Sequence, residues 1–216
     1  FFVRAGSRYD EDCHGRAHLL EHMLFQGTKE QDAEQIFSAM EAVGGEINAH
    51  TSREYICLHT VTLAEQLPLA LASLANISIR PTLNEDIFRQ EKLVALQEMK
   101  ASRNRSGVLY DQFIQHLWQE NSLRHPVIGY PEGIRDTDIT TLRTFHQQRF
   151  VGGNAVLVIC GDILPEEAQS WAGEAFVELP AGPEQPPRPQ KESNLHGPRG
   201  GHLTRSSDPT YMLLGT

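Results

Sequence analysis

The amino-acid sequence predicts an α/β domain in which helices pack against a sheet. Segments with apolar residues at every third or fourth position alternate with short segments rich in β-branched and aromatic residues. The chain is also long enough, at 216 residues, to bury a core without disulfides. This length suits one large domain or two small ones, and we predict a single domain over residues 1–216.

The first half of the chain is predicted to begin with a strand that ends at Gly6. Helical spacing follows over residues 16–26, and a second helix opens at Asp32 and ends at the glycine pair 44–45. Residues 46–62 alternate as a strand or a bent strand pair does. Two more helices are predicted, over 64–79 and 84–102.

The second half is predicted to be mainly helical. Its helices cover residues 108–119, 139–150 and 166–176. Between them "NAVLVICGD", residues 154–162, is predicted to be a strand buried on both faces. Prolines and glycines make 179–201 a loop or linker, and the closing residues "PTYMLLGT" are again strand-like.

Composition limits the partners and the environment of the protein. The net charge is −9 and the basic residues are scattered, which argues against nucleic acid or an anionic membrane as a partner. No apolar run approaches the roughly 20 residues that span a bilayer, so we expect a soluble protein. No targeting segment is visible, the compartment is unknown, and we expect a segment before Phe1 to have been removed or omitted.

The segment "HGRAHLLEHMLFQGT", residues 14–28, carries the first chemical signal. His18 and His22 are four residues apart and therefore lie on one side of a helix, with Glu21 beside them. Two imidazoles at this spacing can reach one Zn²⁺ at about 2.0–2.1 Å, and a neighbouring carboxylate can act as base on water bound there. This arrangement is the inverted zinc-peptidase motif HxxEH.

An ordinary amphipathic helix is the alternative interpretation, since leucines and a phenylalanine surround the histidines. Burial of His18, Glu21 and His22 without partners would cost several kcal/mol, so metal binding is favoured. His14 would extend the row of imidazoles, but Gly15 makes an earlier helix start doubtful. A loop or capping role is therefore favoured for His14.

A catalytic zinc needs a third protein ligand and an open position. The predicted helix 84–102 offers four acidic candidates: Glu85, Asp86, Glu91 and Glu98. Glu91 and Glu98 share one face of that helix, so one could bind the metal while the other supports it. An exposed acidic stripe alternating with Lys92 and Lys100 explains the same residues, and spacing alone does not decide.

The sequence resembles the pitrilysin family of zinc metallopeptidases, which includes insulin-degrading enzyme and the mitochondrial processing peptidase. The resemblance covers nearly the whole chain, in order and spacing. It is carried by "FFVRAGSRYDE", "AHLLEHMLFQGT", "EAVGGEINAHTSREY", "QEKLVALQEMK", "HPVIGYPEGI" and "RFVGGNAVLVICGDI". By this resemblance the fold is a mixed, mostly antiparallel sheet with packed helices.

The resemblance also implies site residues. It makes Glu98 the third zinc ligand beside His18 and His22, and it makes Glu91 the supporting acidic residue. It places Asn48 and Ala49 on an edge strand next to the zinc, where an extended peptide adds as another strand. The sequence departs from the family pattern at Arg16, where a small apolar residue is usual, and at His50, where an aromatic residue is frequent.

The predicted function is zinc-dependent endopeptide hydrolysis, with Glu21 as general base and an extended peptide or unfolded segment as substrate. Family members build a closed chamber from several such domains, so we expect a second homologous domain or subunit as partner. The chain would then be a piece of a longer, multi-domain protein. The alternative is a peptide-binding, chamber-forming domain that is noncatalytic, or inactive without its partner.

Overall fold

The described residues form a four-stranded antiparallel sheet, ordered β2-β3-β1-β4, with helices packed against β2 and β3. This computed structural model describes residues 1–102, 107–183, 197, 199–202, 204 and 212–215. The strands are β1 (Phe2–Val3), β2 (Glu46–Thr51), β3 (Ile56–Val61) and β4 (Ala155–Val156). The helices are α1 (Arg16–Leu24), α2 (Ala33–Glu41), α3 (Leu67–Ile79), α4 (Glu85–Ser102), α5 (Gly107–Leu117), α6 (Pro131–Asp136), α7 (Ile139–Arg149) and α8 (Pro165–Ala175). The α/β fold class is thus confirmed.

Strands β2 and β3 form a hairpin at one edge of the described sheet. Six residue pairs join them, from Glu46 opposite Val61 to Thr51 opposite Ile56. The turn between the strands is closed by the Ser52 amide, which donates to the Tyr55 carbonyl at 2.8 Å. The predicted strand pair is therefore confirmed, and β2 has β3 on only one of its sides among the described residues.

Helix α1 begins at Arg16 because its first turn is capped. The buried Asp10 carboxylate accepts hydrogen bonds from the Gly15 amide at 2.7 Å and the Ala17 amide at 2.9 Å. Gly15 has φ +104°, a conformation that L-residues with side chains rarely adopt. One side of the helix is fully buried, comprising Ala17, Leu19, Leu20, Met23 and Leu24. The HxxEH residues are left on the less buried side.

Helix α4 packs directly against α1. Its start is fixed by the Asn84 side chain, which accepts hydrogen bonds from the amides of Asp86 and Ile87. Phe88, Ala95 and Met99 are buried in the core. A small residue at 95 allows close approach of the backbones, so the acidic residues of α4 lie near α1.

Most other helix predictions are confirmed within a few residues. Helix α2 has the expected Asp32 cap, with a full capping box to Gln35, but it ends at Glu41, before the glycine pair. The helix predicted from residue 64 begins instead at Leu67, after a short 3₁₀ turn, with Pro68 in its first turn. Helix α6 was not predicted, because six residues are too few to show a period.

The strand prediction for 154–162 is wrong in length and burial. Only Ala155–Val156 are in a strand, and Val156 and Val158 are 60% and 56% exposed. The reason is position, since β4 lies at the outer edge of the described sheet. The opening strand is likewise shorter than predicted, at Phe2–Val3.

Two predicted segments lie largely outside the described residues. Of the loop 179–201, residues 184–196 and 198 are not described. Of the closing strand 209–216, residues 209–211 and 216 are not described, and 212–215 are in no strand. No helix among the described residues combines the length and apolar character needed to cross a membrane.

Candidate metal centre

Three side chains from α1 and α4 bring their donor atoms together. The Nε2 atoms of His18 and His22 are 3.4 Å apart. The Oε2 atom of Glu98 lies 3.4 Å from Nε2 of His22 and 3.7 Å from Nε2 of His18. The helical spacing in α1 stacks the two imidazoles, and the packing of α4 on α1 adds the carboxylate.

The triangle formed by these atoms has the dimensions of a zinc site. Tetrahedral zinc bonds of about 2.0–2.1 Å separate two ligand atoms by roughly 3.4 Å. The point equidistant from the three atoms lies about 2.0 Å from each, which matches those bond lengths. The donor set of two imidazoles and one carboxylate is also one that zinc accepts. The Glu98 side chain is 46% exposed, so the site is open to solvent on that side.

The protonation state of His18 suits a metal ligand. Burial, followed by the proximity of His22, lowers the pKa of His18 from 6.5 to about 4. The ring is therefore neutral at physiological pH and keeps a lone pair. Its Nδ1 atom is buried without a hydrogen-bond partner among the described residues, so the hydrogen-bonding contacts of this ring all involve Nε2.

Glu91 contacts His22 at the ring nitrogen that is not part of the donor triangle. Its Oε2 atom lies 3.0 Å from Nδ1 of His22, and both side chains are largely buried, at 13% and 14% exposed. A carboxylate in this position accepts a hydrogen bond from Nδ1, which leaves the Nε2 lone pair directed at the centre. Glu91 and Glu98 thus contact different ring nitrogens of His22, although they share a face of one helix.

Glu21 lies beside the donor triangle without belonging to it. Its Oε2 atom accepts a short hydrogen bond from the hydroxyl of Thr51, at the end of β2. Sequence reasoning missed Thr51. The signal that could have found Thr51 is the alternation of β2. Ile47, Ala49 and Thr51 share one face of the strand, and Ile47 belongs to the core against which α1 packs, so Thr51 points toward α1.

Asn48 and Ala49 lie on β2, at an edge of the described sheet, as the family resemblance implies. The Ala49 amide donates to the side-chain oxygen of Asn48 at 2.8 Å. Ala49 is paired with Leu58 on β3. The Leu58 amide donates to the Phe1 carbonyl on its other side, so this amide points away from β2. Ala49 therefore belongs to a pair that is not hydrogen-bonded across the hairpin, and its amide points to the free edge.

His14 is not part of the donor triangle. Its ring stacks on His125 with centroids 3.7 Å apart, and it meets Tyr130 edge-on. It precedes α1 in the turn that Asp10 holds. The loop position favoured for His14 is therefore the one observed.

Comparison with known proteins identifies the family. The family model described as "Insulinase (Peptidase family M16)" matches residues 1–130, more than half of the chain. The chain belongs to peptidase family M16. This match confirms the resemblance to pitrilysin-type peptidases. A second M16 model, described as "Peptidase M16 inactive domain", matches residues 137–209.

Individual M16 relatives extend over almost the whole chain. An uncharacterized zinc protease of Mycobacterium leprae is 31% identical over 99% of this chain and 49% of its own length. The mitochondrial-processing peptidase subunit beta of Neurospora crassa is 30% identical over 83% of this chain and 38% of its own. A crystal structure of a protease from Helicobacter pylori superposes with a TM-score of 0.81, at 25% identity, over 88% of this chain and 47% of that one. The chain spans about half the length of the curated relatives it matches first.

Proposed function

We propose that this chain is the zinc-bearing part of an M16 endopeptidase that hydrolyses extended peptides or unfolded segments. The observation that carries the proposal is the triangle of His18, His22 and Glu98 donor atoms, with Glu91 behind His22. His18, His22 and Glu98 would hold Zn²⁺. When bound, this ion supplies a Lewis acid for the scissile carbonyl and acidifies water toward neutral pH.

Glu21 is the general base in this proposal. Its carboxylate accepts a proton from the attacking water, and the same proton passes to the amine that leaves when the peptide C–N bond breaks. The Thr51 hydroxyl holds one carboxylate oxygen and thereby orients the other. Thr51 is a positioning residue, since it acts through Glu21.

Strand β2 is the proposed docking edge for the substrate backbone. The amide of Ala49 points outward and now donates a hydrogen bond to the Asn48 side chain. An extended peptide added to β2 would accept this hydrogen bond in its place, after the Asn48 side chain rotates away. Because such pairing uses main-chain groups, it supports recognition of many sequences. Specificity would then come from the side chains around the strand.

A noncatalytic, chamber-forming role is the second candidate, favoured by the match to the inactive-domain model. That match covers 137–209 and contains none of the proposed ligands or the proposed base. The complete set of His18, Glu21, His22 and Glu98 therefore supports the peptidase over the interaction domain. The alternative in which the domain needs a partner for activity is compatible with the same residues.

The test is the substitution Glu21→Gln in the protein at its natural length. Glutamine keeps the shape and the hydrogen bond with Thr51 but cannot take a proton, so we expect retained zinc and a loss of turnover of about 10²–10⁴-fold. Metal analysis and cleavage of a quenched fluorescent, unstructured peptide measure the two quantities. Glu34→Gln, on the exposed side of α2, is the matched control and should cleave normally. Equal cleavage by Glu21→Gln and the parent would refute the assigned base.

A further inference from the structure

A second group of metal-binding side chains lies on the β2–β3 hairpin. His50 on β2 stands directly opposite Cys57 on β3, and His59 follows Cys57 by two residues. Residues paired across strands, or two apart along a strand, point to the same face of a sheet. The two imidazoles and the thiol are therefore neighbours on one surface.

That surface is the one turned away from the candidate zinc centre. Thr51, the neighbour of His50, reaches Glu21 on the helix side, so His50 points to the opposite side. The residues on either side of Cys57, Ile56 and Leu58, belong to the main hydrophobic cluster, whereas Cys57, although buried at 4% exposed, lies outside that cluster. The group is thus separate from His18, His22 and Glu98.

The donor atoms are close enough to share one ion after a small adjustment. One nitrogen from each imidazole and the Cys57 sulfur all lie within 4.8 Å of one another. Zinc or cobalt bonds of about 2.0–2.3 Å need separations of roughly 3.3–3.8 Å. A rotation of the His50 side chain, which is exposed at the strand edge, can shorten the separations between its nitrogen and the other two donor atoms to this range. The two imidazole rings are already neighbours, with centroids 6.0 Å apart and ring planes inclined at 59°.

These side chains make few contacts outside the group, among them the edge-on packing of the His50 ring against Tyr55, with centroids 5.9 Å apart. Within the described part of the chain, no hydrogen bond or ion pair involves the side chains of His50, Cys57 or His59. On the other side of Cys57 lies Phe2, its partner on β1, whose ring packs edge-on against Tyr55. The thiol is therefore bordered by an apolar side chain on one side and by two nitrogen donors on the other.

We propose that His50, Cys57 and His59 form a second metal site, for a divalent transition metal that accepts thiolate and imidazole ligands. One sulfur and two nitrogens suit Zn²⁺ and Co²⁺ and disfavour Mg²⁺ and Ca²⁺, which take oxygen ligands. Three protein ligands would leave a fourth position for water or another ligand. This site does not depend on the peptidase proposal, since it shares no residue with it.

Co²⁺ is the probe for the test, because a cobalt–thiolate bond gives a near-ultraviolet charge-transfer absorption that a site of histidine and glutamate does not give. The protein at its natural length, freed of metal, is titrated with Co²⁺. We expect this absorption in the parent and its loss in Cys57→Ser, together with one fewer Co²⁺ bound per chain. Cys160→Ser, at an exposed cysteine outside the group, is the matched control and should keep the absorption.

Two further variants make the test independent of folding and of the zinc centre. His50→Asn changes an exposed side chain and should weaken the cobalt–thiolate signal by at least about 10-fold in affinity. His22→Asn should lose one Co²⁺ but keep the cobalt–thiolate absorption. A parent protein without this absorption, or one in which it survives Cys57→Ser, would overturn the second site.

Discussion

Glu91 and Glu98 show how two identical residues on one helix face come to lie in different surroundings. Glu98, near the end of α4, is 46% exposed, and its carboxylate faces the Nε2 atoms of both histidines. Glu91, two turns earlier, is 13% exposed and faces Nδ1 of His22, on the far side of that ring. The exposed carboxylate can therefore bind an ion directly, whereas the buried one can act only through His22.

We predict that Glu91→Gln weakens zinc binding without abolishing it. A neutral amide holds the His22 ring less firmly than a carboxylate, and loss of such supporting groups typically costs about 10–100-fold in metal affinity or activity. Glu98→Ala removes a ligand and should cost considerably more. The measurement is competition for zinc with a chelator of known affinity, at neutral pH.

His14→Ala serves as the control for this series, because its ring stacks on His125 outside the donor triangle. It should bind zinc as the parent does. The ligand assignment fails if Glu98→Ala and His14→Ala retain zinc equally. The assignment of Glu91 fails if its glutamine variant is indistinguishable from either the parent or Glu98→Ala.

At this scale the sequence predicted the histidine ligands from spacing alone, since four residues on a helix fix a direction. Spacing could not choose between Glu91 and Glu98, because residues seven apart share a face. The choice came from the family resemblance, and the different burial of the two residues supports it. Thr51 was missed because it lies 30 residues from Glu21, and contacts across elements leave little trace in a local pattern.

Among the elements, the start of α1 is held by the segment that leads into α6. Gly129 has φ +78°, and a Cβ atom there would collide with the backbone of His14 and Gly15. A Cβ atom on Gly133, in α6, would collide with the His14 carbonyl. The two glycines thus let 129–133 lie directly on the turn before α1. Packing of this kind fixes where the HxxEH helix begins.

The stacked rings of His14 and His125 make this junction sensitive to pH. Burial is the main cause that lowers the pKa of both histidines. For His125 the charge of His14 adds to this effect, and the pKa falls from 6.5 to about 4. Between these pH values the unfolded chain takes up protons that the folded chain does not. The contribution of this pair to the free energy of unfolding should therefore fall as the pH falls from 6.5 toward 4, whereas that of Asp10, whose pKa burial raises to about 7, should change in the opposite direction.

We predict that His125→Phe reduces this loss of stability, because phenylalanine can stack on His14 without taking up a proton. Urea unfolding of metal-free protein at about pH 7.5 and about pH 5, followed by circular dichroism, measures the difference. Metal-free protein is needed so that release of zinc does not contribute. His202→Phe, at an exposed histidine, is the control and should follow the parent. A parent-like pH dependence in His125→Phe would contradict the prediction.

Element predictions succeeded where a period extends over several turns, as in α3, α4 and α7. The apolar run at 154–162 was misread because hydrophobicity alone does not tell a central strand from an outer one. Its residues Val156 and Val158 are exposed, and of these two only Val156 belongs to the described sheet. The hairpin of β2 and β3 was predictable from alternation, but the position of β2 at an edge came from the resemblance.

For the whole molecule, the decisive fact is that the candidate centre lies open. Glu98 is nearly half exposed, and the docking edge of β2 has no neighbour among the described residues. The matched M16 relatives are about twice as long as this chain. We therefore propose that residues 1–216 form one domain of a longer protein, and that a second homologous domain or subunit closes over the site.

We predict that residues 1–216 alone bind zinc but cleave an unstructured peptide slowly. An open site leaves water around the scissile bond and holds the substrate on one side only, so the reacting groups are poorly positioned. Addition of the separately produced remainder of the natural protein, or of its partner subunit, should raise the cleavage rate by at least about 10-fold. Zinc content should not change, because all the proposed ligands lie on α1 and α4.

The same mixture made with Glu21→Gln is the control that assigns the recovered activity to this centre. It should stay inactive, since the partner would supply closure and not the base. If the partner brought its own active site, the Glu21→Gln mixture would cleave as fast as the parent mixture. If instead the isolated chain already cleaved as fast as the mixture, closure would not be needed. In that case β2 and the donor triangle alone would position the peptide.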